Sequence, residues 1–121
     1  ECVMKNLKEV FDQQVFAVVG NTTDRAKAAC KIKYGLTRRG YSAYGIGKEL
    51  HSLNEVPEEI DVVVLCANPE WGLELMQDCR KDMKGVVIQP GAESTELMEY
   101  LEEQGIPYLE SCILSGFSLY P

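Results

Sequence analysis

The chain has 121 residues, 45% of them apolar and 26% charged, the size and balance of an ordinary folded unit with one core. Its longest apolar runs, Val15–Gly20 and Val62–Ala67, fall far short of a bilayer span. The formal net charge of −7 argues against a nucleic-acid binder. The charged opening Glu1–Gln14 carries no signal-peptide pattern, so a soluble cytoplasmic protein with neither nucleic-acid nor membrane partner is expected.

Residues Cys2–Gln13 read as an amphipathic helix, with Val3, Leu7, Val10 and Phe11 on one face. Val15–Val19 is a continuous apolar run closed by Gly20, the pattern of a strand buried on both sides. Asn21-Thr22-Thr23-Asp24 supplies cap residues for a helix that runs to about Arg39 and stops at Gly40. Ala28, Ala29, Ile32 and Leu36 give that helix its core-facing stripe. Tyr41–Ile46 is the second strand, and Glu49–Leu53 is either a short third strand or a loop before the turn at Pro57-Glu58-Glu59. Asp61–Ala67 is a buried strand ended by Asn68-Pro69. Glu70–Lys81 is helical, with Gly72, Leu75, Met76 and Cys79 on one face. Gly85–Gln89 is a strand closed by Pro90-Gly91. Glu93–Gln104 is a helix with Leu97, Met98 and Leu101 inward, and Gly105 ends it. Ile106–Leu109 is the last strand, and Ser111–Pro121 holds at most a final turn of helix.

Short apolar strands alternating with amphipathic helices predict βαβ units. The expected fold is α/β: a single domain over residues 1–121, Rossmann-like and doubly wound. Its parallel sheet has five to six strands in the order 3-2-1-4-5-6, with helices on both faces. Ligands in such sheets lie outside the carboxyl ends of the strands, near the switch point. That edge is made of Gly20–Asp24, Gly45–Lys48, Ala67–Trp71 and Gln89–Ala92.

Each segment of the edge has two readings. Gly20-Asn21-Thr22-Thr23-Asp24-Arg25 is neither G-x-G-x-x-G nor a Walker loop. It is a phosphate cradle, with Arg25 or Lys27 adding charge, or a plain capped turn. Gly45-Ile46-Gly47-Lys48 carries a lysine where NAD-binding domains usually place an acid. A cation there suits a phosphorylated ribose, or it is an ordinary exposed turn lysine. Trp71, the only tryptophan, covers a ligand, meets a subunit or fills the core. The turn Gln89-Pro90-Gly91-Ala92 precedes a capped helix, which accounts for its Pro and Gly but not for Gln89.

Charge is unevenly placed. Arg25, Lys27, Lys31, Lys33, Arg38, Arg39 and Lys48 fall in one window without an acid, and five basic residues against nineteen acidic make up the rest. The window is either a binding region for a compact anion or a basic helix face. Five cysteines at irregular spacing, without C-x-x-C, read as reduced thiols. With His51 the sole histidine, neither a metal site nor a Cys–His catalytic pair at Cys112 is expected.

Taken together, Val15–Gly20 with its helix, Ile60–Leu65, Val86-Val-Ile-Gln-Pro-Gly-Ala92 and the late Cys112 resemble the small bacterial CoA-binding domain proteins. These are related to the CoA-binding domain of the succinyl-CoA synthetase alpha subunit. The resemblance covers about residues 12–114 and is most specific at Gln-Pro-Gly-Ala. It implies CoA or an acyl-CoA as ligand, with Gly20, Asn21, Thr22, Thr23 and Arg25 near the pyrophosphate. Lys48, after Gly47, would meet the adenosine end and its 3′-phosphate, while Asn68, Gln89 and Gly91 would line the remaining cleft. The chain departs from the family pattern at the end of the second strand, where Gly45-Ile46-Gly47-Lys48 replaces Val-Asn-Pro and a basic residue, and in the first loop, which lacks Gly-Ala-Ser. The competing readings are an NAD(P)-binding oxidoreductase or redox sensor on the same scaffold, and a degenerate domain without nucleotide. A homodimer is expected only because it is the commonest symmetric assembly.

Overall fold

Strand β1, Val15–Gly20, is an interior strand of the sheet, and all six of its residues are buried. Its run of apolar residues shows no alternation because both faces meet a layer of helices. Four strands extend from it: β2 Ser42–Gly47, β3 Val62–Leu65, β4 Gly85–Ile88 and β5 Tyr108–Glu110. The order is β2-β1-β3-β4-β5 and every neighbouring pair is parallel. The chain therefore leaves β1 for one side of the sheet and then crosses to the other, which puts the switch point between β1 and β3. The computed structural model describes residues 5–121.

Among the described residues, five α-helices cover the two faces: α1 Leu7–Phe11, α2 Ala28–Arg38, α3 Pro69–Asp78, α4 Thr95–Glu103 and α5 Ile113–Leu119. Alternate strand residues serve alternate cores. Phe16, Val18, Val64 and Val87 pack with Val10 of α1, Ile32 and Leu36 of α2, and Ile113 and Phe117 of α5. Ala17, Val19, Val63 and Leu65 pack with Leu75 and Met76 of α3 and Leu97 and Leu101 of α4. Each fully buried branched side chain contributes roughly 1.5–3 kcal/mol relative to exposure. The amino edge of the sheet is closed by Asp61, whose Oδ2 accepts the amides of Gln14 at 3.0 Å and Val15 at 2.9 Å.

The expected Rossmann-like, doubly wound sheet is the one the chain adopts, with five strands. Several expectations need correction. The segment Glu49–Leu53 is not a strand: Leu50 makes one isolated bridge to Ile46, and Ser52 then caps a 3-10 turn, Leu53–Glu55. Helix α2 does not start after Asp24, because Asn21 and Asp24 bond their own downstream amides and hold the chain in a loop as far as Lys27. Ala28 is consequently exposed rather than part of the core stripe. The expected helix Cys2–Gln13 is confined to Leu7–Phe11, where the Asn6 side chain accepts the Glu9 amide. Its first residues, Cys2 and Val3 among them, lie outside the described residues. The tail forms two turns of helix, α5, seated against Phe11 and α2.

Candidate functional site at the carboxyl edge

The edge is opened by two glycines. Gly20 ends β1, Gly47 ends β2, and the two are register partners. Their φ angles are +154° and +141°, a region that side chains disfavour. Space forbids a side chain as well. A Cβ on Gly20 would stand 2.7 Å from the Ala29 Cβ and 2.7 Å from the Cys66 carbonyl oxygen. One on Gly47 would stand 2.8 Å from the Gly20 carbonyl oxygen and 3.0 Å from Trp71 Cη2. Bare backbone therefore faces the ring of Trp71. Gly20, Asn21, Gly47, Lys48 and Trp71 line one hollow of about 340 Å³. Trp71 is fixed there by the start of α3, where Asn68 Oδ1 accepts the amides of Glu70 at 2.8 Å and Trp71 at 3.3 Å, and Pro69 fills the first helical position.

The loop after β1 is organised by Asn21. Its Oδ1 accepts the Thr23 amide at 3.2 Å, the Thr23 hydroxyl at 3.0 Å and the Asp24 amide at 3.2 Å. Three donors thus converge on a single oxygen, an arrangement equally suited to an oxygen of an anion. Thr22 points elsewhere. It is buried, and its hydroxyl donates to Glu49 Oε1 at 2.6 Å. The other carboxylate oxygen of Glu49 takes the Lys33 ammonium at 3.1 Å. This bridge lies over Gly45, whose missing side chain is what makes room for Thr22 Oγ1 and Glu49 Oε1. Burial would push the Glu49 carboxyl up, but the Thr22 hydroxyl and the Lys33 ammonium outweigh it and hold the group below its usual range.

The remaining expected contacts are spread along the edge. Arg25 lines a neighbouring hollow of about 310 Å³ with Cys30, Lys31 and Tyr34. Lys27 is exposed at the start of α2 and makes no capping bond with its side chain. Asn68 also borders a groove of about 680 Å³ between α3 and α4 that includes Glu70, Glu74 and Glu96. Gly91 is exposed in the turn after β4, with φ +92°, and its amide donates to Glu93. Gln89 is buried beneath the edge. Its Nε2 donates to the Ser111 carbonyl at 2.9 Å and its Oε1 accepts the Ile113 amide at 3.1 Å, so both ends of the side chain hold the passage into α5. The basic window does not gather into one cluster. Arg38 lies over Tyr34, Arg39 lies 4.0 Å over Phe117, and Lys33 is paired with Glu49. Lys48 remains as the cation of the Trp71 hollow.

Two half-buried thiols flank Gln89: Cys66, which follows β3, and Cys112, which precedes α5. Burial pushes the Cys66 thiol up, with the nearby Cys112 adding to it. Reasoning from sequence gives Glu49 no part in the site, since its partners lie 27 and 16 residues away. The only available signal was a carboxylate directly after the strand-ending Gly47-Lys48. The edge as built offers converging donors for an anion, a lysine and an aromatic plane.

The chain matches the family model described as CoA binding domain over residues 14–117. No curated protein matches it. Among solved structures, a conserved hypothetical protein of Pyrococcus furiosus is 26% identical, with a TM-score of 0.74 over 86% of this chain and 99% of that one. A hypothetical protein of Pyrococcus horikoshii is 22% identical, with a TM-score of 0.76 over 85% of this chain and 80% of that one. The cell-free protein ID.343 of Thermus thermophilus is 19% identical, with a TM-score of 0.70 over 90% and 92%. The fold is shared with all three, and the family match spans most of the chain: this protein belongs to the CoA-binding domain family.

Proposed function

We propose that the chain is a cytoplasmic binding module that holds CoA or an acyl-CoA along its carboxyl edge and performs no reaction of its own. The observation that carries this reading is the hollow of Gly20, Asn21, Gly47, Lys48 and Trp71 beside the switch point, in a chain of the CoA-binding domain family. The glycines let the nucleotide approach the backbone, Trp71 offers a face for the adenine, and Lys48 takes the 3′-phosphate. The donors of Thr23 and Asp24, now gathered on Asn21, take the pyrophosphate, with Arg25 and Lys27 adding positive charge. Asn68 and Gly91 border the path of the pantetheine arm. Thr22 acts from beneath by tying the first loop to Glu49, and Gln89 holds the passage into α5 under the edge.

Trp71 supplies the test, because it is the only tryptophan. Titration with CoA should change its fluorescence saturably, and phosphopantetheine, which lacks the adenosine, should change it far less. An unchanged emission up to millimolar CoA contradicts the reading. Lys48→Glu should weaken CoA roughly tenfold or more and dephospho-CoA much less. Equal losses for the two would remove Lys48 from the 3′-phosphate.

A further inference from the structure

Lys48 and Glu49 are neighbours in sequence with opposite placements, and the turn that carries them explains why. The Leu50 amide donates to the Gly45 carbonyl at 3.0 Å, and the Gly47 amide donates back to the Leu50 carbonyl at 2.5 Å. The turn is tied at both ends and sends successive side chains to different sides. Lys48 lines the Trp71 hollow. Glu49 reaches back toward α2, where Thr22 takes one carboxylate oxygen at 2.6 Å and Lys33 the other at 3.1 Å. Nucleotide domains that accept an unphosphorylated ribose keep an acid at the end of the second strand for its hydroxyls. Here an acid stands in that stretch of sequence, but both of its oxygens are engaged away from the hollow.

We propose that the Thr22–Glu49–Lys33 bridge is a specificity device: by withholding the Glu49 carboxylate from the ribose site, it makes the edge select nucleotides that carry a ribose phosphate over those with a free diol. This rests on the nucleotide-binding reading given above and adds the group that discriminates. The selection is electrostatic. A released carboxylate near Lys48 cancels the lysine's field and repels a ribose phosphate, yet offers two acceptors to a diol. Three features hold the device in place. Gly45 leaves the space in which Thr22 Oγ1 and Glu49 Oε1 meet. Thr22 is buried, so its hydroxyl has no solvent alternative. Lys33 is carried on α2, a helix fixed through Ala29, Ile32 and Leu36. Glu49 is thus a positioning residue. Its influence reaches the ligand through the charge left beside Lys48.

The test compares affinities for two pairs of ligands, CoA with dephospho-CoA and NADP with NAD, by titration calorimetry. The wild-type chain should prefer the phosphorylated member of each pair. Lys33→Met frees the second carboxylate oxygen of Glu49 and leaves its charge uncompensated, and should reduce that preference roughly tenfold, through weaker binding of the phosphorylated ligand. Lys33→Met/Glu49→Gln has the same net charge as the wild type and no carboxylate to release, so it should regain the preference. A bridge that acted only as a structural clamp would make the double variant the worst binder of all, and that result overturns the proposal. So does a Lys33→Met preference equal to wild type. Thr22→Val, which frees one carboxylate oxygen and leaves α2 untouched, should move the preference in the same direction, and it stands in if Lys33→Met is poorly folded by circular dichroism. A wild-type chain that binds none of the four ligands overturns the nucleotide reading and this inference together. That failure is recognisable because it precedes any variant.

Discussion

Replacing Gln89 by leucine isolates the scaffold beneath the edge from the contacts above it. The residue is 4% exposed and makes two hydrogen bonds, a part-buried one to the Ser111 carbonyl at 2.9 Å and a buried one from the Ile113 amide at 3.1 Å. Leucine is of similar bulk and removes both partners at once. The Ile113 amide and the Ser111 carbonyl are then left without partners at the root of α5, and each such buried group costs about 1–3 kcal/mol. Partial relaxation of the short helix toward water recovers some of this, so a loss of about 2–4 kcal/mol is expected. That is a sizeable part of the roughly 5–15 kcal/mol that stabilises a domain, and corresponds to a fall in Tm on the order of 10 °C for a chain of this length. Urea unfolding followed by circular dichroism measures it, with the exposed Gln77→Leu as control. Because both ends of Gln89 are occupied inward, CoA affinity of the folded variant should change by less than about threefold. A stability loss below about 0.5 kcal/mol would refute the bonding account. A large loss of affinity in a stable variant would make Gln89 a direct contact.

Gly20→Ala places a methyl against Ala29 and the Cys66 carbonyl and forces a side chain into φ +154°. The expected loss exceeds about 3 kcal/mol by urea titration. Gly40→Ala, at φ +90° with nothing within 4 Å, should cost only about 1 kcal/mol. At Asp61, burial pushes the carboxyl up, but the amides of Val15 and Gln14 and the Lys84 ammonium outweigh it and leave it below the usual carboxylate range. The stability it contributes is therefore complete above about pH 4, the ordinary aspartate value, and is lost as pH falls through the lower folded value. Asp61→Ala should lose about 2 kcal/mol at pH 7, and its deficit should shrink toward pH 2. A constant deficit would contradict the assignment. Brief alkylation with iodoacetamide, read by peptide mass spectrometry, should mark Cys112 faster than Cys66. Burial pushes Cys66 up, whereas at Cys112 the upward effect of burial is outweighed by the polar groups of Ser115 and the Leu114 amide at the start of α5, which hold the thiol below its usual range.

The parts of the molecule that were legible in the sequence are those set by local pattern. The run from Val15 to Gly20 declares an interior strand because every residue must be apolar when both faces are covered. The glycines at its end and at the end of β2 mark the carboxyl edge for a similar reason, since close backbone approach excludes a side chain. Glu49–Leu53 was ambiguous because one strand-like bridge, at Leu50, is all that tertiary structure permits before Ser52 opens a 3-10 turn. The start of α2 was misplaced because Asn21 and Asp24 are cap formers that close loop turns equally well. Within the site, the basic window was visible as charge but not as geometry. Ring stacking draws Arg38 and Arg39 away, and Lys33 is taken by an acid sixteen residues on. Gln89 and Glu49 were silent as structural elements because their partners are remote in sequence and backbone groups supply half of the bonds.

On the proposed function, the edge between β1, β2 and α3 holds CoA through its phosphorylated adenosine. Titration calorimetry with CoA, run against NAD and NADP, tests it most directly. Saturable one-site binding of CoA is expected, with weaker binding of NADP and still weaker binding of NAD, and the heat for CoA should fall at high salt as the Lys48 contact is screened. Absence of CoA binding at millimolar concentration, or tighter binding of NAD than of CoA, would contradict it.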